Sequence, residues 1–116
     1  MATTELLPLT VIDACCSPLT REAISAEHAV SLAHALKAIA DPARLRLISM
    51  VAAHADSEAC VCDLTEPLGL SQGTVSHHLK ILVDAGILSR DRRGTWAFYR
   101  IVPGALDSIA HLLATV

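Results

Sequence analysis

Aromatic side chains are almost missing from this chain: one Trp, one Tyr and one Phe in 116 residues. The apolar fraction is nevertheless 53%, largely Ala, Leu, Val and Ile, so the core must be aliphatic, a composition that favours closely packed helices. No run of about 18 apolar residues occurs, which excludes a membrane-spanning helix. Met1 to Leu7 carry Glu5 and no basic cluster, which argues against a secretory leader and for a cytoplasmic chain with reduced thiols. A glycine-rich phosphate loop, a His-Glu-x-x-His pair and a convincing nucleophile–base pair are all lacking, so the chain does not read as an enzyme and implies no organic cofactor. Internal repeats and low-complexity tracts are absent too.

At 116 residues there is room for one domain, which buries roughly two-thirds of its unfolded surface. So much aliphatic surface exceeds what such a domain hides, and a subunit interface is expected. Basic residues are scarce, with nine Lys and Arg against twelve Asp and Glu. They are unevenly spread. Residues 1–70 hold four basic and nine acidic side chains, whereas residues 71–100 hold Lys80, Arg90, Arg92, Arg93 and Arg100 against only Asp84 and Asp91. That stretch is the part suited to phosphate.

Residues 1–24 show no sustained period and contain Pro8 and Pro18, so they read as an arm with little regular structure. Residues 25–116 form the domain. Ser25 caps an amphipathic helix carrying Ala29, Leu32, Ala33, Leu36, Ile39 and Ala40 at helical spacing. Asp41-Pro42 starts a second helix, with Leu45, Ile48 and Ala52 on one face and Leu47, Met50 and Val51 widening the arc. A polar loop spans 54–58, and a short helix is expected through Asp63–Glu66, ending at Gly69.

Ser71 then caps SQGTVSHHLKILVDAG. Val75, Leu79 and Leu82 face inward, Gly86 closes the helix, and small polar residues crowd its start. Two helices joined by a brief Gly-containing turn make a helix-turn-helix pattern that reads base edges from the second helix. Ser71, Gln72, Thr74, Ser76, His77, His78 and Lys80 are the candidate contacts. Ile87–Asp91 and Thr95–Ile101 read as strands around an Arg92-Arg93-Gly94 turn, a hairpin wing offering Arg90, Arg92 and Arg93 to backbone phosphate or the minor groove. All three aromatic residues lie in its second strand and are expected to seal it against the helices. A last helix from Pro103 places Leu106, Ile109, Ala110 and Leu113 on a stripe suited to pairing across a dimer.

ALKAIADPARLRLISMV followed by ACVCDLTEPLGLSQGTVSHHLKILVDAGILSRDRRGTWAFYRI resembles the ArsR/SmtB family of bacterial repressors over residues 25–115. The specific pieces are Asp41-Pro42-x-Arg44, Cys60-Val61-Cys62-Asp63-Leu64, the Ser71-to-Leu79 helix and the Gly94-containing wing. The resemblance implies a mainly α winged helix-turn-helix homodimer joined through its first and last helices. It also implies double-stranded operator DNA as partner, bound without metal and released when metal binds.

The inducer follows from the donors. Thiolate-only sites select soft ions, whereas imidazole and carboxylate suit zinc, nickel or cobalt. Cys60-x-Cys62 matches the family's thiolate position, and Cys15-Cys16 resembles the N-terminal thiols that complete a soft-metal site across the dimer. Asp107 and His111 are too few and wrongly spaced for the family's C-terminal zinc site. Three thiolates suit As(III), with Sb(III) as an alternative, while use of all four would fit Cd(II) or Pb(II). A single buried cysteine is ordinarily just a small apolar residue, and only the two pairs together argue for a site at Cys15, Cys16, Cys60 and Cys62. His77-His78 alone could be a metal pair, but on this helix DNA contact or solvation is the better reading; His28, His34, His54 and His111 read as solvated or structural. A thiol redox switch on the same fold stays open. A structural zinc site fits poorly, because Cys-Cys and Cys-x-Cys are tighter spacings than such sites use.

Overall fold

The computed structural model describes residues 6–15 and 17–115, with Cys15 described by its backbone. The chain forms α1 (Leu9–Cys15), α2 (Ala26–Ile39), α3 (Pro42–Ala53), a 3-10 turn (Ala55–Ser57), β1 (Glu58–Cys60) and α4 (Val61–Leu68). It continues with α5 (Gln72–Asp84), β2 (Leu88–Arg93), β3 (Trp96–Ile101) and α6 (Ala105–Leu113). The three strands make an antiparallel sheet in the order β1-β3-β2.

Polar side chains set the helix starts. The Ser25 hydroxyl accepts the N–H of His28, the Asp41 carboxylate accepts that of Arg44, and the Ser71 hydroxyl accepts that of Thr74. Each satisfies a backbone donor that the first turn leaves orphaned. Gly69 ends α4 at φ +72°, a left-handed conformation that a side chain would resist. Gly86 does the same after α5, where Ile87 N–H donates to Leu82 O and Gly86 N–H to Val83 O, turning the chain sharply into β2.

The core is aliphatic, as the composition requires. Leu47 and Val51 of α3, Leu64 of α4 and Val75, Leu79 and Leu82 of α5 are buried together with Ile87, Leu88 and Tyr99. α4 and α5 thus hang as a helix-turn-helix pair from α3, with the hairpin β2–β3 beside them. This is a winged helix-turn-helix.

Several expectations are corrected. The arm contains α1, whose Leu9 and Ile12 are buried and which packs on α6 and α2. Beyond it, Leu19 N–H donates to Leu112 O and the Thr20 hydroxyl to Ala114 O, fastening the segment to the end of α6. Proline content had suggested a loose arm, but tertiary burial holds this one. α2 buries Ser31, Leu32, Ala35 and Ala38 and leaves Ala33 exposed; a helix apolar on most sides gives no unique stripe. Leu45 and Ala52 of α3 are likewise exposed, whereas Ile48 of the same expected face is buried with Leu47 and Val51 of the arc. β1 starts at the last residue of the expected loop, is too short to show a period, and pairs Cys60 with Phe98 and Glu58 with Arg100. The hairpin turns one residue later than expected, at Gly94-Thr95, so Arg92 and Arg93 lie within β2 opposite Ala97 and Trp96. Tyr99 is buried, yet Trp96 is 57% exposed and seals nothing.

Candidate nucleic-acid interface and thiol site

The N-terminal half of α5 presents the residues that the sequence nominated. Gln72 and His77 are exposed, and neither has a hydrogen-bond or ion-pair partner among the described residues. Ser71 and Thr74 are already engaged with each other, the Ser71 hydroxyl donating to Thr74 Oγ1 at 2.9 Å while capping the helix. Ser76 and His78 are half-buried, and His78 Nδ1 faces Arg44 Nη1 at 3.1 Å. Lys80 pairs with Asp84 at 2.9 Å, one turn on; both are well exposed, so water screens the pair and phosphate can replace the carboxylate.

The wing arginines divide. Arg90 and Arg92 are exposed with no such partner among the described residues. Arg93, by contrast, donates through both terminal nitrogens to the Glu58 carboxylate at 2.8 Å and through Nε to Asp91 at 3.0 Å, and its guanidinium lies 4.7 Å from the centre of the Phe98 ring. Its hydrogen bonds to Glu58 and Asp91 raise the Arg93 pKa still further, and the same bond to Arg93 holds the Glu58 carboxyl below its usual range. Arg100 adds a contact to Glu58 at 3.4 Å. Arg93 is therefore a clasp between β1 and β2. The sequence could not show this, because Glu58 is 35 residues away.

A cleft of about 760 Å³ separates α4, α5 and the wing. Gln72, Ser76 and Lys80 line one wall, Arg90, Arg92 and Trp96 another, and Cys60 and Cys62 reach it from the start of α4. Cys60 caps α4, where the helix dipole favours a thiolate. Asp63 was overlooked as a site residue, although Cys60-x-x-Asp63 is the spacing at which an N3 carboxylate reaches back to the cap. It accepts the Cys60 N–H at 3.1 Å and lies 3.6 Å from His54 Nε2. One donor atom each from Cys60, Cys62 and Asp63 falls within 4.8 Å of the others.

The expected reduced state is not the one observed at this corner. Cys60 and Cys62 are joined as a disulfide, their Cα atoms 5.3 Å apart across the strand-to-helix junction, a separation suited to such a bond. Two thiolates are available only once it is reduced. The other pair lies at the end of α1. The backbone of Cys15 closes that helix, and its side chain and all of Cys16 lie outside the described residues.

Residues 41–90 match the profile of the bacterial regulatory proteins of the arsR family. An uncharacterized HTH-type transcriptional regulator of Methanocaldococcus jannaschii is 40% identical over 81 residues, 70% of this chain and 89% of that protein. This chain belongs to the ArsR family. The arsenical resistance operon repressor of Bacillus subtilis is 41% identical over 63 residues, 54% of this chain and 58% of that repressor, so the match spans less than two-thirds of its length. Among solved structures, the AntR antimony-specific transcriptional repressor superposes with TM-score 0.64 at 33% identity, covering 77% of this chain and 79% of its own. The homodimeric winged helix-turn-helix DNA-binding domain of a Mycobacterium bovis protein, described as a possible ArsR-family regulator, gives 0.61 at 26% identity over 79% of this chain and 82% of its own. Family and fold are those of DNA-binding transcriptional regulators and not of enzymes.

Proposed function

We propose that this ArsR-family repressor binds operator DNA as a homodimer and leaves it when As(III) or Sb(III) is captured by cysteine thiolates. One observation carries the reading: Cys60 and Cys62 line the same cleft as Gln72, Ser76, Lys80, Arg90 and Arg92. An ion drawn to those sulfurs sits where the reading helix and the wing must both meet the duplex. Reduction of the disulfide, with two electrons and two protons from a dithiol, frees the pair. Arsenous acid would there exchange its three hydroxyls for three thiol sulfurs, each S–H proton leaving with a hydroxyl as water. Cys60 and Cys62 supply two of them, and Cys15 or Cys16 supplies the third. The arsenical-resistance and antimony-specific names of the relatives support a soft metalloid.

The arm that carries Cys15-Cys16 is tied to its own α6, whose Leu106 and Leu113 remain 37% and 42% exposed. The proposed site is shared between subunits, the arm of one chain meeting the partner's Cys60 and the partner's Cys62. A mixed dimer of one Cys15→Ser/Cys16→Ser chain and one Cys60→Ser/Cys62→Ser chain then keeps one complete site. Loss of both sites in that heterodimer would place the site within one subunit.

The decisive experiment is anaerobic. Reduced protein on a labelled fragment from upstream of its own gene is titrated with arsenite, antimonite, cadmium, lead and zinc, and separately with peroxide. Release by arsenite or antimonite far below the zinc concentration supports the proposal. Preferential release by cadmium or lead assigns the site to those ions. The Cys60–Cys62 disulfide favours one rival: release by peroxide with no response to any ion would make the chain a thiol redox regulator.

A further inference from the structure

The Asp41-Pro42-x-Arg44 segment starts α3, yet its arginine does more than that position requires. Pro42 lacks the N–H that would serve the carbonyl of Ala38 four residues earlier, and the Asp41 N–H goes to Ile39 O. The end of α2 is thus left with acceptors to satisfy. Arg44 supplies the donors, its Nε reaching Ala38 O at 2.5 Å and Nη2 reaching Lys37 O at 3.4 Å. The remaining arm of the guanidinium faces His78 Nδ1 of α5 at 3.1 Å. One planar group of fixed geometry thereby joins α2, α3 and α5.

The geometry points to Arg44 as a positioning residue for the DNA-reading helix, acting through His78; the inference rests on the DNA-binding reading above. A guanidinium has five donors and no acceptor. His78 Nδ1 must therefore carry the lone pair, which leaves Nε2–H as the ring's donor and fixes both tautomer and ring orientation. Asp41 sits against the pair, its carboxyl held low first by the N–H of Arg44 and then by the Arg44 charge. Lys37 and His34 of α2 and Asp84 of α5 surround the adjoining hollow of about 320 Å³. A shift of α2 then reaches α5 through one rigid fork rather than through sliding aliphatic contacts.

A mere cap on α2 predicts lost stability and nothing at His78, so two readouts are needed on the full chain. The first is the His78 tautomer, from long-range proton–nitrogen NMR correlations without DNA. The wild type shows a single Nε2–H form, and Arg44→Met shows a mixture of tautomers. Arg44→Lys keeps the charge but not the fork and behaves as Arg44→Met does, which preserves the test where the methionine variant does not fold. The second is a double-mutant cycle on DNA affinity. Arg44→Lys and His78→Gln each weaken binding about tenfold, and the double variant is no weaker than the worse single. A mixed or Nδ1–H tautomer in the wild type, or additive losses in the cycle, would overturn the proposal. Wild-type protein that binds no upstream fragment would refute the repressor reading instead, since the tautomer is read without DNA.

Discussion

Two faces of this small molecule handle apolar and charged side chains in opposite ways. Around the cleft, Val75, Leu79 and Leu82 of α5 are fully buried, and apart from Trp96 the well-exposed lining is polar, cationic or sulfur-bearing. The helices at the other end, α1, α2 and α6, leave Val11, Val30, Leu106 and Leu113 between 37% and 53% exposed. The cleft is thus finished as a surface for a charged partner, while the helical end is left as a surface for another apolar one. Fold assignment alone does not separate these roles; side-chain exposure does.

Breaking the helical end should have the largest effect. Leu106→Glu with Leu113→Glu is expected to give monomers in sedimentation and to lower operator affinity by about 10²-fold or more, because two half-sites can no longer be held together. Retained dimers with unchanged affinity would move the interface elsewhere.

The cleft is sharpened by its two adjacent arginines. Arg92→Ala should weaken binding to all sequences alike and reduce the dependence of log affinity on log salt by about one phosphate contact. Arg93→Ala should leave that slope nearly unchanged and lower the melting temperature, since Arg93 serves Glu58 and Asp91. Gln72→Ala should erode base discrimination by about 1–3 kcal/mol. Equal salt slopes for the two arginine variants would mean that the clasp opens on DNA.

The same clasp gives a pH dependence. The folded pKa of Glu58 is lowered, chiefly by its hydrogen bond from Arg93, so its stabilisation is present above the ordinary carboxylate range and is lost as pH falls through the lowered value. Wild type should therefore melt above Glu58→Gln at neutral pH, and the two curves should converge in acid. A gap that persists in acid would assign the difference to packing. Smallest of all, Ser71→Ala should remove about 1 kcal/mol of stability, the usual cost of a lost helix cap.

Helices and caps were legible in the sequence because their causes are local. Ser25, Asp41-Pro42 and Ser71 each act within four residues, and Gly86 closes α5 where it was expected to. The inward stripe of α5 was legible because the other faces of its first turns are polar. On α2 and α6 apolar residues occur on several sides, so periodicity could not choose the buried face. β1 and the Glu58–Arg93 clasp depend on pairing across about 40 residues, and no local signal announces them. The cysteine spacing marked a candidate site; that Cys60 and Cys62 share a cleft with α5 needed the fold.

The proposed function turns on whether ligand capture at Cys60 and Cys62 is what releases DNA. The most direct test is to titrate arsenite, under reducing anaerobic conditions, into operator complexes of wild type and of Cys60→Ser/Cys62→Ser, following anisotropy of the labelled duplex. The proposed function requires equal DNA affinity for the two proteins at zero arsenite, full release of wild type, and a variant that stays bound. Release of the variant at the wild-type arsenite concentration would contradict it.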